Sequence, residues 1–233
     1  DITPGLANKI AIKGAKKVCC NFPETLKYLP SDKAVLTGSP IRRELLSGNK
    51  ENAYKLCAFP VEKKPVLLII GGSLGSRAIN EAVRKVLPEL LKDFHIIHLC
   101  GKGNLDESLT GTCGYAQFEY ASAELTDMLA LADIAISRAG ANSICELLAL
   151  HKPNILIPLS AAASRGDQIL NANSFEKQGF SYVIKEEDVT DDVLLSAVKE
   201  VYKNRQTYID AMSNSGQMDS IGTIIELIKK VCK

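Results

Sequence analysis

The sequence predicts an α/β domain built on a doubly wound parallel sheet, and three observations carry that expectation. From Pro65 to Lys185 short apolar runs of strand length alternate with single stretches at helical spacing, the signature of βαβ units. Several of these runs stop at glycine or small polar residues that lead at once into a helix, as at the carboxyl edge of a parallel sheet. Hydrophobic residues make up 46% of the 233, enough to bury a sizeable core between a sheet and covering helices.

The elements follow in order. "VLLII" (66–70) reads as a buried strand, and Ala78, Ile79, Ala82, Val83, Val86, Leu87 and Leu90 then recur at helical spacing. "HIIHLC" (95–100) and the alternating "YAQFEY" (115–120) are the next strands, and "ELTDMLALA" (124–132) is helical. "DIAIS" (133–137) is a strand stopping at "RAGAN", "SICELLAL" (143–150) a helix, and "NILIP" (154–158) a strand followed by a polar loop. "DQILNANSFEKQ" (167–178) is a helix for which Gly179 suits the C-cap, and "SYVIK" (181–185) is the last clear strand. Six strands with right-handed crossovers make a Rossmann-like domain over residues 40–214. Residues 1–39, with a helix over 6–16 and the strand "KVCCNF", read as the end of a preceding domain, joined by the Gly- and Pro-punctuated "TGSPIRREL" (37–45). Residues 215–233 hold an amphipathic helix (220–232) that either packs on this domain or crosses back to the other. The opening "DITPGLANKI" lacks Met and any visible domain start, so the chain is expected to be a piece of a longer protein.

Composition excludes several classes. The net charge of +1 gives no general attraction to nucleic acid or an anionic membrane, and no nucleic-acid partner is expected. No signal peptide is visible, and no apolar run reaches the ~18 residues of a membrane span. The seven cysteines, an odd number without a CxxC pair, read as buried free thiols of a reducing cytosol. Their spacing and the three histidines do not suit zinc, and no metal or cofactor is expected. His95, His98 and His151 read as core or surface residues rather than catalysts.

In an open parallel sheet ligands bind at the carboxyl ends of the strands. The first end carries "GGSLGS" (71–76), neither a Walker A loop nor a full GxGxxG. Cys100 and Gly101 stand at the next strand end where a nicotinamide site wants an acid for the ribose, which argues against NAD. A phosphate on the N–H groups of residues 73–76 and a ligand-free tight turn remain equal readings. In "SRAGANSICE" (137–146), Ser143 and Glu146 have the spacing of a capping box, and spacing alone favours that reading. The alternative is that Glu146 enters the cleft and accepts two hydroxyls of a ribose, two acceptor oxygens meeting a vicinal diol. Arg138, charged at the end of an apolar strand, pairs locally or binds a ligand. Asp167 is either an N-cap or a ligand group, and Gln168 either a local residue or a holder of a hydroxyl-rich ligand. Arg42 is an exposed charge or a hinge cation whose fork suits a diphosphate.

Taken together, "GSPIR", "GGSLGSRAIN", "SRAGANSICELLAL", "PNILIPLS" and "DQILNANSFEKQG", in that order, resemble the MurG family. The opening "ITPGLANK" resembles that family just before its interdomain linker, so the likeness covers nearly the whole chain. The resemblance implies a two-domain fold of the GT-B type, with a C-terminal domain for the nucleotide sugar and an N-terminal domain for a lipid-linked acceptor. It implies inverting transfer of N-acetylglucosamine from UDP-N-acetylglucosamine to the lipid-linked muramyl-peptide precursor of peptidoglycan, without metal, at the inner face of the cytoplasmic membrane. Carried over by motif, Gly72, Ser73 and Gly75 would contact the diphosphate and Arg42 the nucleotide at the hinge. Ala141, Asn142 and Ser143 would line the phosphate-facing helix start, and Glu146 would hold the ribose. Asp167 and Gln168 would reach the sugar with Asn171 nearby, and uracil would lie against the backbone of residues 120–122. The family's N-terminal glycine-rich loop with its histidine has no counterpart, so donor binding with little or no transfer is expected of this chain alone. Catalytic residues, acceptor and membrane contact would belong to the missing domain. Rival readings are a nucleotide-sugar-binding subunit of a split transferase and a UDP-sugar epimerase, which would want acid/base groups beyond Glu146 and Asp167; a plain NAD-binding domain comes last.

Overall fold

The computed structural model describes residues 1–72, 74–161, 163, 165–215 and 220–232 of the chain. Ser73 of the glycine-rich turn, Ala162 and Ser164 of the polar loop, and part of the stretch before the last helix therefore lie outside the described residues. The chain opens with α1 (Leu6–Gly14), β1 (Val18–Cys20) and β2 (Ala34–Leu36). It continues through α2 (Lys50–Leu56), β3 (Val66–Ile70), α3 (Arg77–Lys85), α4 (Leu87–Asp93), β4 (His95–Leu99) and β5 (Tyr115–Phe118). Then come α5 (Glu124–Leu131), β6 (Ile134–Ser137), α6 (Ala141–Ala149), β7 (Asn154–Leu156), α7 (Asp167–Lys177) and β8 (Ser181–Val183). The last helices are α8 (Asp191–Lys203), α9 (Arg205–Ser213) and α10 (Ser220–Val231).

The six strands expected from the apolar runs form one sheet in the order β5-β4-β3-β6-β7-β8, parallel throughout. The order reverses at β3, whose neighbours are β4 and β6, so a crevice opens where their carboxyl ends diverge. In register, Ile70 faces Leu99 on one side and Ser137 on the other, which brings three separate chain segments to one edge.

Burial explains why β3 reads as an unbroken apolar run. Leu67 and Ile69 join the core beneath α3, α4 and α8, while Val66 and Leu68 join the core beneath α2 and α5. Leu67, Leu68 and Ile69 are fully buried, and each such side chain contributes about 1.5–3 kcal/mol of transfer free energy. The helix expected across residues 78–90 is two helices. Pro88 lies in the first turn of α4, where its missing N–H is harmless, and Val86 closes one helix and opens the next.

The first segment differs from expectation as well. β1 has a parallel partner, β2, with Val18 opposite Ala34. This unit packs on α7: Phe22 meets Phe175 edge-on at 6.1 Å, and Ser174 donates to Glu24 at 2.9 Å. Lys16 Nζ donates to the Val231 carbonyl at 3.2 Å, linking α10 to the first segment. The cysteines divide: Cys20, Cys57, Cys100 and Cys145 are buried, but Cys19, Cys113 and Cys232 are exposed, against the expectation of buried thiols.

Candidate functional site

The carboxyl edge is built around the turn after β3. Gly72 and Gly75 take φ of +89° and +76°, where a side chain is strained. Gly75 N–H donates back to the Gly72 carbonyl at 3.0 Å, so that amide is spent inside the turn. Ser76 caps α3, its hydroxyl accepting from Ile79 N–H at 3.3 Å. The same hydroxyl accepts from Arg138 at 2.7 Å.

Arg138 proves to be the local clamp rather than an open ligand group. Its guanidinium also donates to the Ile157 carbonyl at 3.0 Å and forms an ion pair with Glu186. With side chains only 11% and 21% exposed, this pair is largely desolvated, and removing one partner strands the other charge. Arg138→Ala is therefore expected to lower stability by about 2–3 kcal/mol in urea unfolding, and Arg138→Met with Glu186→Gln to recover part of it. A loss below ~0.5 kcal/mol would mean the pair is a solvated contact.

The capping box is corrected. α6 starts at Ala141 with Gly140 as its N-cap, so Ser143 is the third helical residue and cannot cap. Glu146 lies one turn further in and its side chain turns to the crevice, where Oε1 accepts from Arg42 Nη2 at 3.4 Å. With Arg42 63% exposed, this contact is loose and easily exchanged. The N–H groups of Ala141, Asn142 and Ser143 form the first turn and have no partner within the helix, so the helix start favours an anion.

Between these parts lies a cavity of about 170 Å³. It is lined by the strand-end residues Ile70, Gly72, Leu99 and Ser137, by Ser143 and Glu146 of α6, and by Tyr120 and Ala121. Of the expected site residues, the fold thus brings together Gly72, Ser143 and Glu146, with Arg42 attached through Glu146. Of the stretch expected to meet the base, Tyr120 and Ala121 line the cavity, while Ser122 N–H donates to Glu124 at 3.1 Å. A larger cavity of about 400 Å³ lies in the first segment between α1 and β1, away from the strand ends.

The residues of α7 do not join the cavity lining. Gly166, at φ +81°, occupies the N-cap position, so Asp167 is the first helical residue and not the cap. Asp167 Oδ1 accepts from Thr3 Oγ1 at 2.9 Å, and Gln168 Oε1 accepts from Leu159 N–H at 3.0 Å. Asn171 is fully buried and donates to Asp1 and to the Ala139 carbonyl. Sequence reasoning missed Glu119, which lines the cavity and accepts from Gly103 N–H at 2.6 Å. Its place inside the alternating run of residues 115–120, at the carboxyl end, was the available signal. Among the described residues, no group of His, Cys, Asp and Glu is arranged to hold a metal ion.

Residues 66–227 match the model of the glycosyltransferase family 28 C-terminal domain. The chain is 63% identical over 229 residues to the UDP-N-acetylglucosamine--N-acetylmuramyl-(pentapeptide) pyrophosphoryl-undecaprenol N-acetylglucosamine transferase of Lachnospira eligens, covering 98% of this chain and 64% of that relative. The protein of the same name from Clostridium botulinum is 59% identical over 233 residues, covering 100% and 66%. The chain thus spans less than two thirds of the length of these curated relatives. Among solved structures, Acinetobacter baumannii MurG superposes with a TM-score of 0.74 at 24% identity, over 99% of this chain and 65% of that one. The kitacinnamycin glycotransferase follows at 0.70 and 20% identity, over 92% and 54%. These likenesses show the parallel-sheet α/β fold read from the strand pattern, and the GT-B type that the family resemblance implied. The family match runs from the first sheet strand through the glycine turn and α6 into α10, and the chain belongs to the glycosyltransferase family 28 C-terminal domain family.

Proposed function

We propose that this chain is the donor-binding half of an inverting transferase that moves N-acetylglucosamine from UDP-N-acetylglucosamine to the lipid-linked muramyl-peptide precursor of peptidoglycan. The names of relatives about 60% identical support the donor and the acceptor. The observation that carries the reading is Glu146, a carboxylate held at the wall of the crevice by one loose, exposed arginine. Its two oxygens accept the two ribose hydroxyls, and Arg42, released from Glu146, turns to the diphosphate. The opening amides of α6 and the turn after β3 take the rest of that charge, and the uracil lies along Tyr120 and Ala121. In the transfer step the acceptor hydroxyl attacks the anomeric carbon from the face opposite UDP. The bond to the diphosphate breaks, UDP leaves with the electron pair, and the hydroxyl proton passes to a base outside this chain. Charge grows on the leaving diphosphate, where the helix start and Arg42 stabilise it. In this reading residues 1–39 end the acceptor domain, residues 40–214 bind the donor, and the rest of the intact protein supplies acceptor and inner-membrane contact from the cytoplasmic side. No described helix is long and apolar enough to cross a membrane.

Calorimetric titration tests this. The chain is expected to bind UDP-N-acetylglucosamine, with NAD as a non-binding control. Glu146→Ala is expected to weaken binding by about 1.5–3 kcal/mol, at least roughly tenfold in Kd, without loss of fold. Equal affinity in the variant would remove Glu146 from the site, and no binding by the wild type would remove the reading.

A further inference from the structure

Beneath the glycine turn runs a buried chain of hydrogen bonds that the proposed function does not use. Asn80, on α3, donates from Nδ2 to the Cys100 carbonyl at 2.8 Å. His98 Nε2 lies 3.0 Å from Asn80 Oδ1, and His98 Nδ1 lies 3.0 Å from the Tyr115 hydroxyl. All three side chains are buried, His98 completely. The protons can be placed from chemistry. A carbonyl only accepts, so the Asn80 amide nitrogen must face Cys100 and its oxygen must face His98. His98 Nε2 then carries the proton, Nδ1 accepts, and Tyr115 donates to it. The chain runs one way, from Tyr115 through His98 and Asn80 to the Cys100 carbonyl.

That carbonyl is the surface against which the glycine turn rests. A Cβ placed on Gly75 would stand 2.0 Å from Cys100 O, and one on Gly101 would stand 2.3 Å from Leu74 O. The two turns are in backbone contact, so the orientation of the Cys100 carbonyl fixes where Gly75 sits.

We propose that Asn80, His98 and Tyr115 are positioning residues for the glycine turn: they lock the Cys100 carbonyl against Gly75 and thereby set the backbone that receives the diphosphate of the nucleotide sugar. The inference rests on the donor-site reading above and deepens it. It assigns the chain to the diphosphate and not to the nucleoside, because the contact is with Gly75 and not with Tyr120, Ala121 or Glu146.

The experiment compares UDP with uridine on the full chain, by NMR titration, for the wild type, Asn80→Ala, Tyr115→Phe and His98→Gln. Amide exchange of Gly71, Gly72, Leu74, Gly75 and Ser76 is followed in the same samples. Asn80→Ala is expected to raise the Kd for UDP about tenfold while leaving uridine unchanged, and to speed exchange in the turn without loosening β3 or β6. Tyr115→Phe, which keeps the packing, moves both readouts the same way by less. His98→Gln, whose amide still donates to Asn80, retains affinity close to the wild type. If Asn80→Ala does not fold, Tyr115→Phe decides. Equal losses for UDP and uridine, unchanged UDP affinity, or unmoved exchange in the turn would each overturn the positioning role and leave the donor site standing. A wild type that binds no UDP would overturn the donor-site reading and this inference with it.

Discussion

Gly75→Ala is expected to destabilise the chain by about 3–5 kcal/mol, from positive-φ strain and overpacking together, and to abolish UDP binding. At φ +76° any side chain is strained, and here the added methyl also meets backbone. Its Cβ would lie 2.0 Å from Cys100 O and 2.8 Å from Cys100 C, atoms just beyond the end of β4, whose strand partners Ile96–Leu99 are pinned on both sides. Neither atom is the free end of a flexible side chain, so relief requires the turn to leave the sheet. Gly72→Ala is the matched control. It carries the same sign of φ at +89° but meets nothing within 4 Å, so it should cost only ~1 kcal/mol of backbone strain. Urea unfolding of the two variants measures the difference. Equal midpoints would mean that the turns after β3 and β4 are not in contact.

The sheet was legible in the sequence for a plain reason. A central parallel strand is buried on both faces, so residues 66–70 must be apolar without interruption, and the run announces itself. The helices around it were less so. A Pro at position 88 fits the first turn of a new helix as well as a break in an old one, and only the packing of Val86 and Leu87 decides. α2, α8 and α9 were not singled out, although Asn49 and Thr190 both cap their helices through side-chain oxygens. At the candidate site the motif positions were visible, but local spacing could not say what Glu146 faces. The S-x-x-E pattern of residues 143–146 is the same whether the helix starts at Ala141 or after Ser143. Starting it three residues earlier turns a helix cap into a residue that lines the crevice. Asp167 shows the same ambiguity, and a left-handed Gly166 in the N-cap place removes its reading as a cap. The chain of Tyr115, His98 and Asn80 was out of reach altogether, because it joins two strands and a helix through contacts made only once the sheet exists.

Acid should unfold this protein through His98. Burial foremost, with the nearby Arg84 guanidinium second, pushes its pKa from 6.5 down to about 3. In the folded chain the ring therefore stays neutral over that interval, with its Nε2 proton donated to Asn80, while the unfolded chain takes up a proton below pH 6.5. The unfolded state binds more protons, so stability rises with pH across the window, is fully present above pH 6.5, and is lost as pH falls toward 3. The slope attributable to this one group approaches about 1.4 kcal/mol per pH unit and sums to roughly 4–5 kcal/mol. Carboxylates add their own dependence at the lower end, so the wild-type curve alone does not isolate it. His98→Gln does, because the amide fills the same place without titrating. The difference in unfolding free energy between wild type and His98→Gln, measured by urea at intervals from pH 7.5 to 4, is expected to be constant above pH 6.5. Below that it should shift steadily against the wild type. Parallel curves throughout would show that His98 takes up its proton as readily in the folded chain as in the unfolded one, and the one-way chain from Tyr115 to the Cys100 carbonyl would then break below pH 6.5, since a doubly protonated ring cannot accept from Tyr115.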